Sequence, residues 1–151
     1  MRATKIILDD KAVYLRLSAA KLAEYAKVTD SSGNTLFAVM DALDDLQKQA
    51  ALFEAALNFK GNSNEIHDGF ELIDMLADAD YGPLDTKELI VRLAEGAGMI
   101  GKVDSAKLVA AIKAGNEKLY KVAVAVLTGD ASELAETEAD HNAEEAEENP
   151  T

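Results

Sequence analysis

The chain has 151 residues, enough for one domain or for a domain with a tail. Its 28 acidic residues against 15 Lys and Arg give a net charge of −13, which argues against a nucleic-acid partner held by phosphate contacts. Cysteine and tryptophan are absent. The first absence excludes disulfides, thiolate zinc sites and cysteine nucleophiles. The second, with only four Tyr and four Phe, leaves a base-stacking surface poorly supplied. Near the start, the apolar run Ile6–Leu8 is ended by Asp9, too short for a secretory core, and no stretch approaches the ~20 apolar residues of a membrane span. Neither secretion nor a membrane partner is expected.

The N-terminal segment alternates. Val13, Leu15 and Leu17 are separated by Tyr14 and Arg16, and Ile6–Leu8 precedes them across the turn residues Asp9, Asp10 and Lys11. This predicts a β-hairpin within 5–17, which must pack on helices or pair with another edge because two strands alone are marginal.

The rest reads as helix. Ser18 caps a helix over Ala19–Val28, with Leu17 and Leu22 spaced as a hydrophobic staple. After the turn cluster Asp30–Asn34, Asn34 caps a short helix carrying Leu36, Val39, Met40 and Leu43. Asp44 and Gln47 form a capping-box pair, and the helix they open places Leu46, Ala50, Phe53 and Leu57 on one stripe. Beyond the break at Gly61–Asn64, a helix over 65–78 is expected to turn Ile66, Phe70, Ile73 and Ala77 inward. The turn Tyr81-Gly82-Pro83 precedes a second capping pair, Asp85 and Glu88, and a helix with Leu89, Ile90 and Leu93 inward, ended by Gly96, Gly98 and Gly101. Asp104 or Ser105 opens a last helical region with Leu108, Ile112, Leu119, Val122 and Val126, kinked or split at Gly115-Asn116 and capped at Gly129.

The acidity is concentrated at the C-terminus. From Asp130 to Thr151 there are nine acids and no Lys or Arg, leaving 19 acids against 15 bases over 1–129. With Leu134 as its sole large apolar residue, the segment 130–151 is expected to be mostly disordered. It either solubilises the chain or shields the lysine-rich stretch bearing Lys102, Lys107, Lys113, Lys118 and Lys121. The fold class expected is thus mainly α (α+β): a compact helical bundle over 1–129 with an N-terminal β-hairpin, followed by a disordered acidic tail over 130–151.

Four patterns with chemical connotations have plainer readings. Gly96-Ala-Gly98-Met-Ile-Gly101 matches a dinucleotide fingerprint, but follows a helical run where a strand is required, and Lys121 and Val122 stand where the acidic residue belongs. Asp78 to Leu89 resembles a calcium loop, but the glycine is fifth rather than sixth and Leu89 occupies the twelfth position. Ser18 and Lys21 fit an acyl-transfer spacing without the companion motifs. His67 and His141 are the only histidines; His67, with Glu71 four residues on and Asp74 seven on, offers too few ligands for zinc. No catalytic, cofactor-binding or metal-ligating residue is assigned, and no cofactor is expected.

One resemblance carries further. The strand pattern Tyr14–Leu17 entering the helix Ala19–Val28, the helix end Ala55-Ala-Leu57-Asn-Phe59, the run Leu72-Ile-Asp74-Met-Leu76 followed by Gly82, and the ending Gly96-Ala-Gly98-Met-Ile100 together resemble the tail assembly chaperones of long-tailed phages and prophages of Gram-positive bacteria. The likeness covers about 5–101. It implies a non-enzymatic protein that coats the tape measure protein and keeps it soluble before the tail tube polymerises. Tail tube protein is then a second partner, recruited in many such phages by a frameshifted longer form. Self-association into rings or a spiral, action in the host cytoplasm and absence from the mature virion are implied as well. The readings left beside it are an acidic helical adaptor or regulator, and a DNA-mimic inhibitor.

Overall fold

The computed structural model describes residues 3–29 and 35–115. Strands β1 (Thr4–Leu8) and β2 (Lys11–Leu15) form an antiparallel hairpin with Leu8 opposite Lys11 and Thr4 opposite Leu15. The connection is two residues, Asp9 and Asp10, at φ 47° and 69°. Two successive left-handed residues give the turn whose twist matches the strands, and aspartate tolerates that region better than most side chains. Alternation then sends Ile6, Leu8, Val13 and Leu15 into the core, and Leu17 follows them inward.

Helix α1 (Ala19–Val28) starts where expected: Ser18 Oγ accepts the Lys21 N–H at 3.3 Å. Leu17 is buried and Leu22 half-buried against the core. Helix α2 (Thr35–Asp41) runs into a single 3-10 turn, Ala42–Asp44. Val39, Met40 and Leu43 are buried as the spacing predicts, with Leu36 half-buried. The cap assigned to Asn34 lies outside the described residues.

Helix α3 (Leu46–Leu57) is capped by Asp45, not Asp44: Asp45 Oδ1 accepts the Lys48 N–H at 3.1 Å. Adjacent aspartates offered two caps, and the 3-10 turn consumed Asp44. The inward set is correspondingly Ala50, Leu52, Phe53, Ala56 and Leu57, while Leu46 is 58% exposed. Helix α4 (Gly69–Asp78) is shorter than the expected 65–78, because Asp68 caps it through the Phe70 N–H at 2.9 Å. Ile66 is buried from the preceding loop, but the helix turns Leu72 and Leu76 inward. Phe70 and Ala77 are exposed and Ile73 is half-buried. Asp68 and Glu71 have capping-box spacing, the signal that marks this start.

Helix α5 (Pro83–Gly96) begins at the proline, with Gly82 as N-cap. Asp85 sits one turn inside and reaches back to the Gly82 N–H at 2.9 Å, rather than serving as the cap. Gly98, at φ 76°, stops the helix, its N–H bonding Glu95 C=O and that of Met99 bonding Ala94 C=O. Helix α6 (Lys102–Lys113) starts two to three residues earlier than Asp104 or Ser105, which lie in its first turn. Gly115, at φ 65°, follows its end. Leu119, Val122, Val126, the Gly129 cap and the acidic segment 130–151 lie outside the described residues.

Among the described residues the fold is thus six α-helices and one two-stranded hairpin sharing a single core. The hairpin rests on α3, where the Arg16 N–H donates to Ala56 C=O at 2.9 Å. Helix α3 packs against α1 on one side and α4 on the other, and α5 packs against α6 and α2. Tyr25 ties α1 to α2 by donating its hydroxyl to Ala38 C=O at 2.8 Å.

Candidate interaction surface

The chemical patterns of the sequence resolve into helix ends. Gly96–Gly101 joins α5 to α6, with no strand before it, so the context of a dinucleotide loop is missing. In the stretch 78–89, Asp80 takes a left-handed turn position at φ 64° and the Asp85 carboxylate caps α5. Ser18 is an N-cap, and the Lys21 ammonium lies 3.1 Å from Glu24 rather than beside a nucleophile. His67 precedes α4, so it shares no helical face with Glu71 and Asp74; its Nδ1 lies 2.7 Å from Asn58 Oδ1. No group of three metal-ligating side chains converges, and no helix is long and apolar enough to cross a membrane, among the described residues. Of the lysine-rich stretch, Lys113 pairs with Glu88 of α5 at 3.3 Å, while Lys118 and Lys121 lie outside the described residues.

What the fold does assemble is a corrugated face along α3. Gln47, Ala51, Glu54 and Asn58 are spaced as one helical stripe, with Gln47 and Glu54 exposed and Ala51 and Asn58 half-buried. On the α1 side of that ridge lies a concavity of about 270 Å³, walled by Tyr25 and Val28 and floored by Ala51 and Ala55. On the α4 side lies a second, of about 330 Å³, walled by Gly69 and Phe70 and floored by Ala50 and Ala51. The two meet at Ala51 and Glu54, which line both. Val28 is 76% and Phe70 51% exposed, so each hollow has one large apolar side chain at its lip.

The geometry follows from small residues. Alanine at 50, 51 and 55 keeps the floor low, and Gly69 lets the first turn of α4 lie against the backbone of α3: a Cβ there would sit 1.7 Å from Ala50 O. The rim on the α1 side carries both signs, Lys21 and Glu24, and the rim on the α4 side carries the acids Glu54 and Asp68. Periodicity assigned Phe70 to the core and so missed it as a surface residue; the Asp68 cap was the available signal.

A comparison with protein-family models, with curated proteins and with solved structures finds no match for this chain.

Proposed function

We propose that this protein is a non-enzymatic tail assembly chaperone of a long-tailed phage or prophage of Gram-positive bacteria. It coats the tape measure protein in the host cytoplasm and keeps it soluble until the tail tube assembles, and it is left out of the mature virion. Tail tube protein then displaces it, recruited by a frameshifted longer form in those phages that make one. The resemblance over 5–101 supports the family. The observation that carries the activity is the pair of hollows on either side of α3, each with an exposed apolar lip. An amphipathic helix presents anchors at i, i+3, i+4 and i+7, and grooves between helices accept such anchors. Many copies on one long rod allow modest affinity per copy to sum.

The test is co-expression with the tape measure protein of the same genome. The native chain is expected to carry it into the soluble fraction. Val28→Asp with Phe70→Asp is expected to lose most of that effect while the purified variant keeps the native circular dichroism. A tape measure protein that stays insoluble with and without the native chain overturns the proposal.

A further inference from the structure

The hairpin has two edges, and the fold treats them differently. The pairs Leu8–Lys11, Ile6–Val13 and Thr4–Leu15 exchange the ladder hydrogen bonds across a two-residue turn, so Lys5, Ile7, Ala12 and Tyr14 turn their N–H and C=O groups outward. On β2 this edge is closed at Tyr14. Asn64 Oδ1 accepts the Tyr14 N–H at 2.8 Å and Asn64 Nδ2 donates to Tyr14 C=O at 2.8 Å, so one side-chain amide stands in for a neighbouring strand. On β1 no such cover exists: the outward groups of Lys5 and Ile7 meet no hydrogen-bonding partner among the described residues. The β1 strand pairs with β2 without a bulge, contains no proline, and presents Ile7 with 65% of its surface in water. An uncovered edge of this kind is a template for another strand.

We propose that β1 is the contact through which two copies of this chain pair, antiparallel, with Lys5 of each opposite Ile7 of the other. The register uses all four outward groups, since the N–H and C=O of Lys5 meet the C=O and N–H of Ile7 in the second copy, twice over. Ile6 then faces Ile6 about the two-fold axis on the core side. The occupant is a second copy because the strand is complementary to itself in this direction. Its cation, Lys5, stands near one end and its acids, Asp9 and Asp10, just past the other. Antiparallel apposition brings Lys5 diagonally toward Asp9 of the second copy, whereas parallel apposition sets like charge beside like. The contact is isologous and closes as a dimer; a ring or spiral coat then needs a second, heterologous contact between such dimers. The inference deepens the self-association that the family resemblance implies, but rests on the edge alone.

The experiment is sedimentation equilibrium of the purified full chain with no tape measure protein present, so its failure leaves the solubility assay above unaffected. The native chain is expected to dimerise, with the Lys5 and Ile7 amides gaining hydrogen-exchange protection as concentration rises. Ile7→Pro removes an N–H that the hairpin does not use and is expected to weaken association roughly tenfold or more. Should proline disturb the strand, Ile7→Lys and Ile7→Glu give a pair of opposite sign: the first sets a cation opposite Lys5 of the other copy and weakens the dimer, the second sets an anion there and strengthens it. A native chain that stays monomeric across the concentration series overturns the proposal. So does association that is indifferent to the charge placed at position 7.

Discussion

Asn64 holds both polar groups of the Tyr14 backbone. Its Oδ1 accepts the Tyr14 N–H and its Nδ2 donates to Tyr14 C=O, each at 2.8 Å, while the same Nδ2 also donates to Leu57 C=O at 2.9 Å. The side chain is buried. One amide thus joins the end of α3 and the loop before α4 to the hairpin, which lies 50 residues earlier in the chain.

Asn64→Ala should therefore cost about 2–4 kcal/mol, since it leaves one donor and two acceptors without partners. Asn64→Asp keeps the acceptor but turns the former donor position into an oxygen facing two carbonyl oxygens. It should be at least as destabilising at neutral pH, and should recover part of the loss as pH falls and the new carboxyl takes up a proton. Urea unfolding of the three proteins at neutral and at mildly acidic pH reads both effects.

Gly69 and Gly96 make a contrasting pair. A Cβ at Gly69 meets the Ala50 backbone at 1.7 Å, and backbone cannot swing aside, so Gly69→Ala should destabilise by about 3 kcal/mol or more. A Cβ at Gly96 meets nothing within 4 Å, so Gly96→Ala should leave stability unchanged or raise it by about 0.5–1 kcal/mol through helix propensity. Thermal melts measured against the native chain should fall for Gly69→Ala and hold or rise for Gly96→Ala.

Tyr25 is buried, and burial together with the carboxylates of Asp41 and Asp45 pushes its phenol well above the ordinary tyrosine range. A group whose ionisation is raised in the folded state contributes stability that is fully present below its unfolded pKa, about 10, and is lost as pH rises beyond it. Alkaline unfolding of the native chain should therefore be accompanied by ionisation of Tyr25. Tyr25→Phe should remove that alkaline sensitivity and cost about 1 kcal/mol at neutral pH, the worth of its hydrogen bond to Ala38. Parallel absorbance and circular dichroism titrations of the two proteins check this.

The facing of α3 is open to a direct comparison. Leu52 has no exposed surface and Leu46 is 58% exposed. Leu52→Ala should cost about 2–5 kcal/mol by leaving a cavity, and Leu46→Ala no more than about 0.5 kcal/mol. Equal costs in urea would contradict the helix phase.

Much of the fold was legible locally. The alternation of Val13, Leu15 and Leu17, the Ser18 cap and the glycines after α5 each rest on interactions within a few residues, and each is found where the spacing predicts. What was not legible were choices between near-equal local options. Asp44 and Asp45 are both competent caps, and the neighbouring 3-10 turn selects Asp45. Ile66, Phe70, Ile73 and Ala77 and the alternative Leu72 and Leu76 are both helical stripes, and the Asp68 start selects the second. Each such choice moves a large apolar side chain between core and surface, which is how Leu46 and Phe70 came to be exposed. The candidate site suffers most from this, because a binding face is built from the apolar residues that the core leaves behind.

By itself the sequence determined that this chain is a hairpin followed by short amphipathic helices, since strand alternation, helix spacing and capping are properties of neighbours. Only the tertiary structure decided which strand edge is closed by a side chain and which hollows flank α3. Those depend on Asn64 reaching Tyr14 and on Gly69 reaching Ala50, contacts between residues distant in the chain that no local pattern encodes.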